Sequence, residues 1–178
     1  MDTAVPVQAF IALGSNINPR KNIEEALNAL SRKCTIAALS SFYLSPPLNR
    51  PEQPDFINGV AQIKTDQPPF ALKYEILRKI EADAGRCRSA DKYAARPIDL
   101  DILLYGDEQI SGSELNIPDP DICLRPFLFV PLLELDPLLC LPGMNTPLRT
   151  LCRPEADVTL KKEEEFSSYL KERFIYEH

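Results

Sequence analysis

The stretch Arg96-Pro97-Ile98-Asp99-Leu100-Asp101-Ile102-Leu103-Leu104-Tyr105-Gly106 decides how this 178-residue chain folds. Pro97 pushes Arg96 towards extended geometry, and the apolar run that follows, stopped by Gly106, predicts a buried strand. Two carboxylates interrupt it. Asp99 and Asp101 lie two residues apart, so on a strand they share one face while Ile98, Leu100 and Ile102 share the other. Strand stability does not require that arrangement. Like charges roughly 7 Å apart repel, and each costs desolvation unless a cation or a positive side chain answers it. A hard cation such as magnesium takes carboxylate oxygens, keeps several waters and bridges to phosphates, and two ions can share such a pair. The plainer alternative is a strand edge whose aspartates face water. Arg86, Arg88, Lys92 and Arg96 precede the strand in a segment with few strong apolar residues, a cationic loop leading into an acidic strand. Guanidinium forks beside paired carboxylates suit a polyphosphate: metal ions hold some oxygens and the forks hold others.

Composition narrows the class. With 44% hydrophobic residues the chain can bury one substantial core, and the expected organisation is one domain over residues 1–154 with an amphipathic tail helix over 155–178. A formal net charge of -6 argues against general nucleic-acid binding, which draws on a broad excess of Lys and Arg. The five cysteines, Cys34, Cys87, Cys123, Cys140 and Cys152, are odd in number, scattered and without a Cys-x-x-Cys pair. Neither a disulfide framework nor a zinc ribbon is expected, and a reduced, cytoplasmic chain fits best. Residues 1–10 lack a basic start followed by an apolar run, and no segment has the length to cross a bilayer, so neither secretion nor membrane insertion is expected.

Taken in order, residues 7–13 predict a strand that delivers the polar turn Gly14-Ser15-Asn16, read as a simple strand end. Asn18, Pro19 and Arg20 introduce a helix to about Lys33, with Ile23, Ala26, Leu27 and Leu30 on one face. Residues 35–44 are β-rich, and the prolines of Ser45-Pro46-Pro47-Leu48-Asn49-Arg50-Pro51 make the next segment a stiff loop. Residues 55–64 alternate as a strand, placing Phe56, Asn58, Val60 and Gln62 opposite Ile57, Ala61 and Ile63. Asn58 either faces solvent or uses its amide edges to read a heterocycle. Pro68 and Pro69 open a second helix that Gly85 ends. Glu81 lies in its last turn, where the helix dipole disfavours a negative charge, and this points to a partner among the following arginines. Residues 107–114 resemble a short hairpin, 115–120 an extended piece, 125–135 a short buried helix, and 137–154 an irregular segment. Phe166, Tyr169, Leu170 and Phe174 give the tail one apolar face, which either docks on the domain or makes a dimer contact. Strand, helix, strand occurs twice, the pattern of an α+β sandwich.

Leu13-Gly14-Ser15-Asn16, Ser41-Phe42-Tyr43 with Pro46-Pro47-Leu48, and above all Arg96-x-x-Asp99-x-Asp101 with its apolar flank together resemble one family. It is the 6-hydroxymethyl-7,8-dihydropterin pyrophosphokinases of folate synthesis, and the likeness spans about residues 7–142. The resemblance implies a ferredoxin-like α/β sandwich with a mostly antiparallel central sheet and helices packed on its faces. It implies transfer of the terminal two phosphates of ATP, as one unit, to the hydroxymethyl oxygen of the pterin, with release of AMP and two Mg2+ ions. Carried over, Asp99 and Asp101 are the metal ligands, and Arg86 and Arg96 grip the transferring group. Asn58 pairs with the pterin edge, Phe56 and Phe127 stack on it, and Ser45, Pro46 and Leu48 contribute from the stiff loop. Arg78, Glu81, Arg88, Tyr93, Ile102, Asp119 and Arg125 surround the ATP.

The chief departure is Asp119, which follows Pro118 where the family usually has a histidine. A third carboxylate beside a triphosphate either recruits cation or repels nucleotide. Arg78 stands where glutamine is common, and Ala94-Ala95 where Gly-Pro is common. Asp119 and the tail motivate a second reading, a non-catalytic paralogue that binds pterin or nucleotide. A third, a nucleotidyltransferase, is disfavoured because a helix and two strands separate Gly14-Ser15 from the Asp-x-Asp. The expected partners are ATP and the pterin, without nucleic acid or membrane, in a monomer or a homodimer joined through the tail.

Overall fold

Residues Asp99–Tyr105 form a strand, as the apolar run stopped by Gly106 predicts, and it lies at one edge of a six-stranded sheet. The computed structural model describes residues 5–87, 94–152 and 160–176. Its strands are β1 (Val7–Ser15), β2 (Thr35–Leu39), β3 (Tyr43–Ser45), β4 (Phe56–Thr65) and β5 (Asp99–Tyr105), a separate hairpin of β6 (Ile110–Ser111) and β7 (Asn116–Ile117), and β8 (Lys161–Lys162). The sheet runs β5-β1-β4-β3-β8, with β2 pairing β4 beyond β3, and all its pairs are antiparallel. Helix α1 (Pro19–Ser31) follows β1. Pro69–Ala71, Leu72–Leu77 and Arg78–Asp83 make one continuous helix, α2, with a π-widened middle, between β4 and β5. The result is a ferredoxin-like sandwich, strand-helix-strand twice over, as expected.

Period-two alternation sorts each strand between two cores. Ala9, Ile11 and Leu13 of β1, Ile57, Ala61 and Ile63 of β4, and Leu100 and Ile102 of β5 face one side, where α1 supplies Ile23, Leu27 and Leu30 and α2 supplies Leu72, Ile76 and Ile80. Phe10, Val60, Leu103 and Leu104 face the other side, covered by helix α3 (Pro126–Leu135) through Leu128, Phe129 and Leu132 and by helix α4 (Leu148–Leu151) through Leu148. In β5 the register jumps from Leu104 opposite Phe10 to Ile102 opposite Ile11, so Leu103 is an extra residue. This bulge flips the alternation, which is why Leu103 and Leu104 both reach the second core while Tyr105 returns to the first. Helices α3 and α4 cover only part of the second face. The remainder, around Ala12, Gly14, Asn58, Asp99 and Asp101, is an open cleft.

The tail joins the same architecture. Strand β8 pairs with β3, and helix α5 (Glu164–Lys171), continued by a π turn over Glu172–Tyr176, buries Phe166, Leu170 and Phe174 in the first core. Its apolar face is therefore used within the chain, each residue contributing about 1.5–3 kcal/mol of burial. The β-rich segment 35–44 divides into β2 and β3, because Ser40 turns its hydroxyl to accept the Val60 amide at 2.8 Å. The irregular segment 137–154 contains α4. The expectation of unpaired cysteines is corrected: Cys123 and Cys152 form a disulfide with Cα atoms 4.9 Å apart, brought together across 29 residues by the fold and not by any motif spacing. Among the described residues no helix is long and apolar enough to cross a membrane.

Gly59 lies directly beneath the fully buried Phe42, and a Cβ there would fall 2.5 Å from its ring. Gly59→Ala is expected to destabilise the fold by about 1–3 kcal/mol in urea unfolding; a neutral result would mean that Phe42 has room to move.

Candidate active site

The cleft, about 320 Å³, opens over the uncovered half of the second face. Strand register lays out its floor. Gly14 of β1 lies between Asn58 of β4 and Asp99 of β5, and Ala12 lies between Val60 and Asp101. Two strand spacings therefore separate Asn58 from Asp99, about 10 Å. Residues 12 and 14 must be small for the floor to stay open: a Cβ on Gly14 would sit 2.7 Å from the Asn58 side-chain oxygen.

One end of the cleft is a polar slot with apolar walls. Asn58, buried, donates its Nδ2 to Ser45 Oγ at 2.7 Å. Ser45, Pro46, Leu48, Phe56, Asn58 and Phe127, the six residues expected to hold the pterin, all line the cleft. Phe127 belongs to the first turn of α3, which Pro126 opens.

The other end is charged. Arg86 and Arg96 each bond one oxygen of Asp99, and Arg86 also bonds Glu81. Glu81 has found the arginine partner that its place in the helix required. It also accepts the Leu100 amide at 2.9 Å, which faces outward from the edge strand and would otherwise lack a partner. The strand's open edge is used again where Leu103 O accepts the Asp119 amide at 2.9 Å, hanging the 119–125 loop beside the carboxylates. Asp119, Asp121 and Arg125 line the cleft, with an ion pair of 2.6 Å between Arg125 and Asp121.

Asp101 is reached by water from the cleft yet ringed by protein. Desolvation, then the charges of Asp99, Asp119 and Glu81, raise its carboxyl to about 7, while Arg86 opposes them. Burial, with the charge of Asp121, likewise raises the Asp119 carboxyl from its ordinary value, against the Asp121 amide, Arg125 and Lys73. A pair of crowded carboxylates, one of them tied to two guanidiniums, has the donor chemistry of a hard divalent cation site. Asp99, Asp101 and Arg96 are brought together here; Arg86 stands behind Asp99, outside the cleft lining.

Three expected nucleotide contacts do not line the cleft. Ile102 points into the first core because its parity on β5 is opposite to that of the aspartates. Glu81 is buried against Arg86 and Leu100. Arg78 lies 4.0 Å over the Tyr74 ring on α2. Arg88 and Tyr93 fall outside the described residues. The sequence reading missed Asp121, whose signal was its i,i+4 spacing to Arg125. Gly14-Ser15-Asn16 is more than a simple strand end. Asn16 Oδ1 accepts the Arg96 amide at 2.8 Å, Asn16 N–H donates to Arg96 O at 3.2 Å, and Ser15 Oγ donates to Pro97 O at 2.6 Å. The turn thus fixes where Arg96 enters the site.

A ferredoxin-like sandwich with a polar slot at one end of a cleft and a carboxylate and guanidinium cluster at the other has the chemistry of a phosphate-handling enzyme class. A sequence model of the 7,8-dihydro-6-hydroxymethylpterin-pyrophosphokinase (HPPK) family matches residues 10–137. The chain is 44% identical over 140 residues to a 2-amino-4-hydroxy-6-hydroxymethyldihydropteridine pyrophosphokinase of Haemophilus influenzae, covering 77% of this chain and 86% of that one. To the Pseudomonas aeruginosa protein of the same name it is 38% identical over 144 residues, 79% and 88% of the two chains. Its fold is similar to that of Plasmodium falciparum HPPK-DHPS, solved with pterin and p-hydroxybenzoate, at a TM-score of 0.65 and 15% identity; 98% of this chain but only 45% of that one is covered. The chain belongs to the HPPK family.

The raised Asp101 carboxyl binds its proton more tightly in the folded than in the unfolded chain, so its ionisation costs stability. That cost is absent below about pH 4, grows towards pH 7 and persists above it. In EDTA, Asp101→Asn is expected to raise Tm by a few degrees at pH 8 and to leave it unchanged at pH 4. An equal or lower Tm at pH 8 would refute the carboxylate repulsion.

Proposed function

We propose that this chain transfers the pyrophosphoryl group of ATP to 6-hydroxymethyl-7,8-dihydropterin, releasing AMP, in the cytoplasm. The observation that carries the reading is the register Asn58-Gly14-Asp99, which sets a heterocycle-reading amide and a carboxylate about 10 Å apart on one open floor. A bicyclic pterin lying over that floor, its ring edge on Asn58 and its faces against Phe56 and Phe127, directs its hydroxymethyl arm towards Asp99 and Asp101. Ser45 orients the Asn58 amide, and the prolines of the following loop hold the backbone still.

In the reaction the hydroxymethyl oxygen attacks the β-phosphorus, the bond from that phosphorus to the α,β-bridging oxygen breaks, and AMP departs while the hydroxyl proton passes to solvent. Asp99 and Asp101 would hold the two Mg2+ ions, which would supply neutralisation of the triphosphate charge and alignment of its oxygens. Arg96, at the cleft wall, binds the transferring oxygens through its fork. Arg86 keeps Asp99 aimed from behind. Arg125 serves the nucleotide from the far wall, with Asp121 holding its guanidinium and Asp119 beside it. The non-catalytic reading is not favoured, since the relatives at this level of identity are named pyrophosphokinases.

The deciding experiment is AMP formation from ATP and Mg2+ with the pterin present or omitted. Pterin-dependent AMP supports the assignment, and binding of pterin without AMP would replace it with the non-catalytic reading. Asp99→Ala or Asp101→Ala is expected to lower kcat at least about 10³-fold with pterin affinity retained; wild-type rates would remove the metal assignment. Asp119→His is expected to tighten ATP several-fold by removing a carboxylate from beside the triphosphate, and an unchanged ATP affinity would count against that repulsion.

A further inference from the structure

Strand β3 is three residues long, and the slot's loop begins where it ends. Its three residues pair with Asn58, Ile57 and Phe56 of β4 on one side. On the other side its approach is gripped by the tail. Phe42 N–H donates to Ser167 Oγ at 2.8 Å, Glu163 N–H donates to Phe42 O at 2.9 Å, and Ser167 Oγ in turn donates to Glu163 O at 2.7 Å. Both backbone groups of Phe42 are therefore spent on the tail. The next two residues, Tyr43 and Leu44, pair with Lys162 and Lys161 of β8. One residue further on, Ser45 takes the Asn58 amide. From the opposite face of the sheet, Glu134 of α3 accepts the Ser41 amide at 2.6 Å and the Tyr43 hydroxyl, tying β3 to the helix that carries Phe127. Ser167 is buried at 3% exposure, and the Phe166 ring meets Phe42 edge-on at 5.8 Å between centroids. Among the described residues, no part of the tail lines the cleft.

We propose that the C-terminal strand and helix, residues 160–176, are a positioning element for the pterin slot, acting through Ser167 and Glu163 on Phe42 and so on Ser45 and Asn58. The proposal rests on the reading of that slot given above. The tail sets where β3 ends, and β3 sets the hydrogen bond that orients the recognising amide. The carboxylate end of the cleft is built on β5, at the far edge of the sheet, and is independent of this grip. The tail's influence is thus selective for one substrate.

The test compares Ser167→Ala, Ser167→Thr and Asn58→Ala in the full chain by steady-state kinetics with Mg2+, ATP and 6-hydroxymethyl-7,8-dihydropterin. Removing the Ser167 hydroxyl strands the buried Phe42 N–H, and the expected result is a rise of about tenfold in the pterin KM, with kcat and the ATP KM within about twofold of wild type. Thr, which keeps the hydroxyl, restores the pterin KM. Loss of Tm with an unchanged pterin KM, or an equal loss for both substrates, overturns the proposal by making the tail merely structural. Asn58→Ala separates the two ideas: a raised pterin KM in this variant alone sinks the positioning role and spares the slot, whereas an unchanged one overturns both. Should Ser167→Ala fail to fold, hydrogen exchange on the wild-type chain serves. Linkage is reciprocal, so pterin with a non-hydrolysable ATP analogue must slow exchange of the Phe42 and Glu163 amides; no change in those amides overturns the proposal.

Discussion

Two aspartates on the edge strand of a sheet create a charge problem that much of the molecule is arranged around. Asp99 is answered by two guanidiniums, and each of these needs its own support. Arg86 is held by Glu81, whose remaining capacity satisfies the strand's outward amide at Leu100. Arg96 is held through its backbone by Asn16 and the Ser15 turn at the end of the neighbouring strand. Asp101 keeps a carboxyl raised first by desolvation and then by its acidic neighbours, which is a cost to the fold. Stability is forgone at the place where the proposed reaction would receive the charge of a triphosphate.

The cleft exists because the two faces of the sheet are treated differently. One face is fully roofed by α1, α2 and the tail helix, while α3 and α4 roof only the part of the other that bears Phe10, Val60, Leu103 and Leu104. Small residues at 12 and 14 keep the floor of the unroofed part open, and the bulge at Leu103 marks the boundary between packed and open halves. The recognition slot and the carboxylates then lie on different strands with β1 between them, so their separation is fixed by strand spacing and not by loops.

Much of this was legible in local sequence. The shared face of Asp99 and Asp101, the helix spans and the need of Glu81 for an arginine all follow from periodicity or from the helix dipole, which act over a few residues, whereas the same patterns leave the burial of Asn58 open. The parts that were not legible depend on who lies next to whom. Cys123 and Cys152 carry no spacing signal, and the two-residue strand β8 is too short to announce itself; it forms because β3 offers a free edge. Asn16 reads as a turn residue because its partner, Arg96, is 80 residues away.

By itself the sequence determined the alternation of each strand, hence which side chains could share a face, and the family likeness that attaches a reaction to them. Tertiary structure alone decided which faces were roofed, which guanidinium stands in the cleft and which behind it, and that the tail is bound to β3 within its own chain. The reason is physical: periodicity is a property of one backbone segment, whereas roofing, edge pairing and charge compensation are properties of two segments meeting, and a linear pattern carries no record of that meeting.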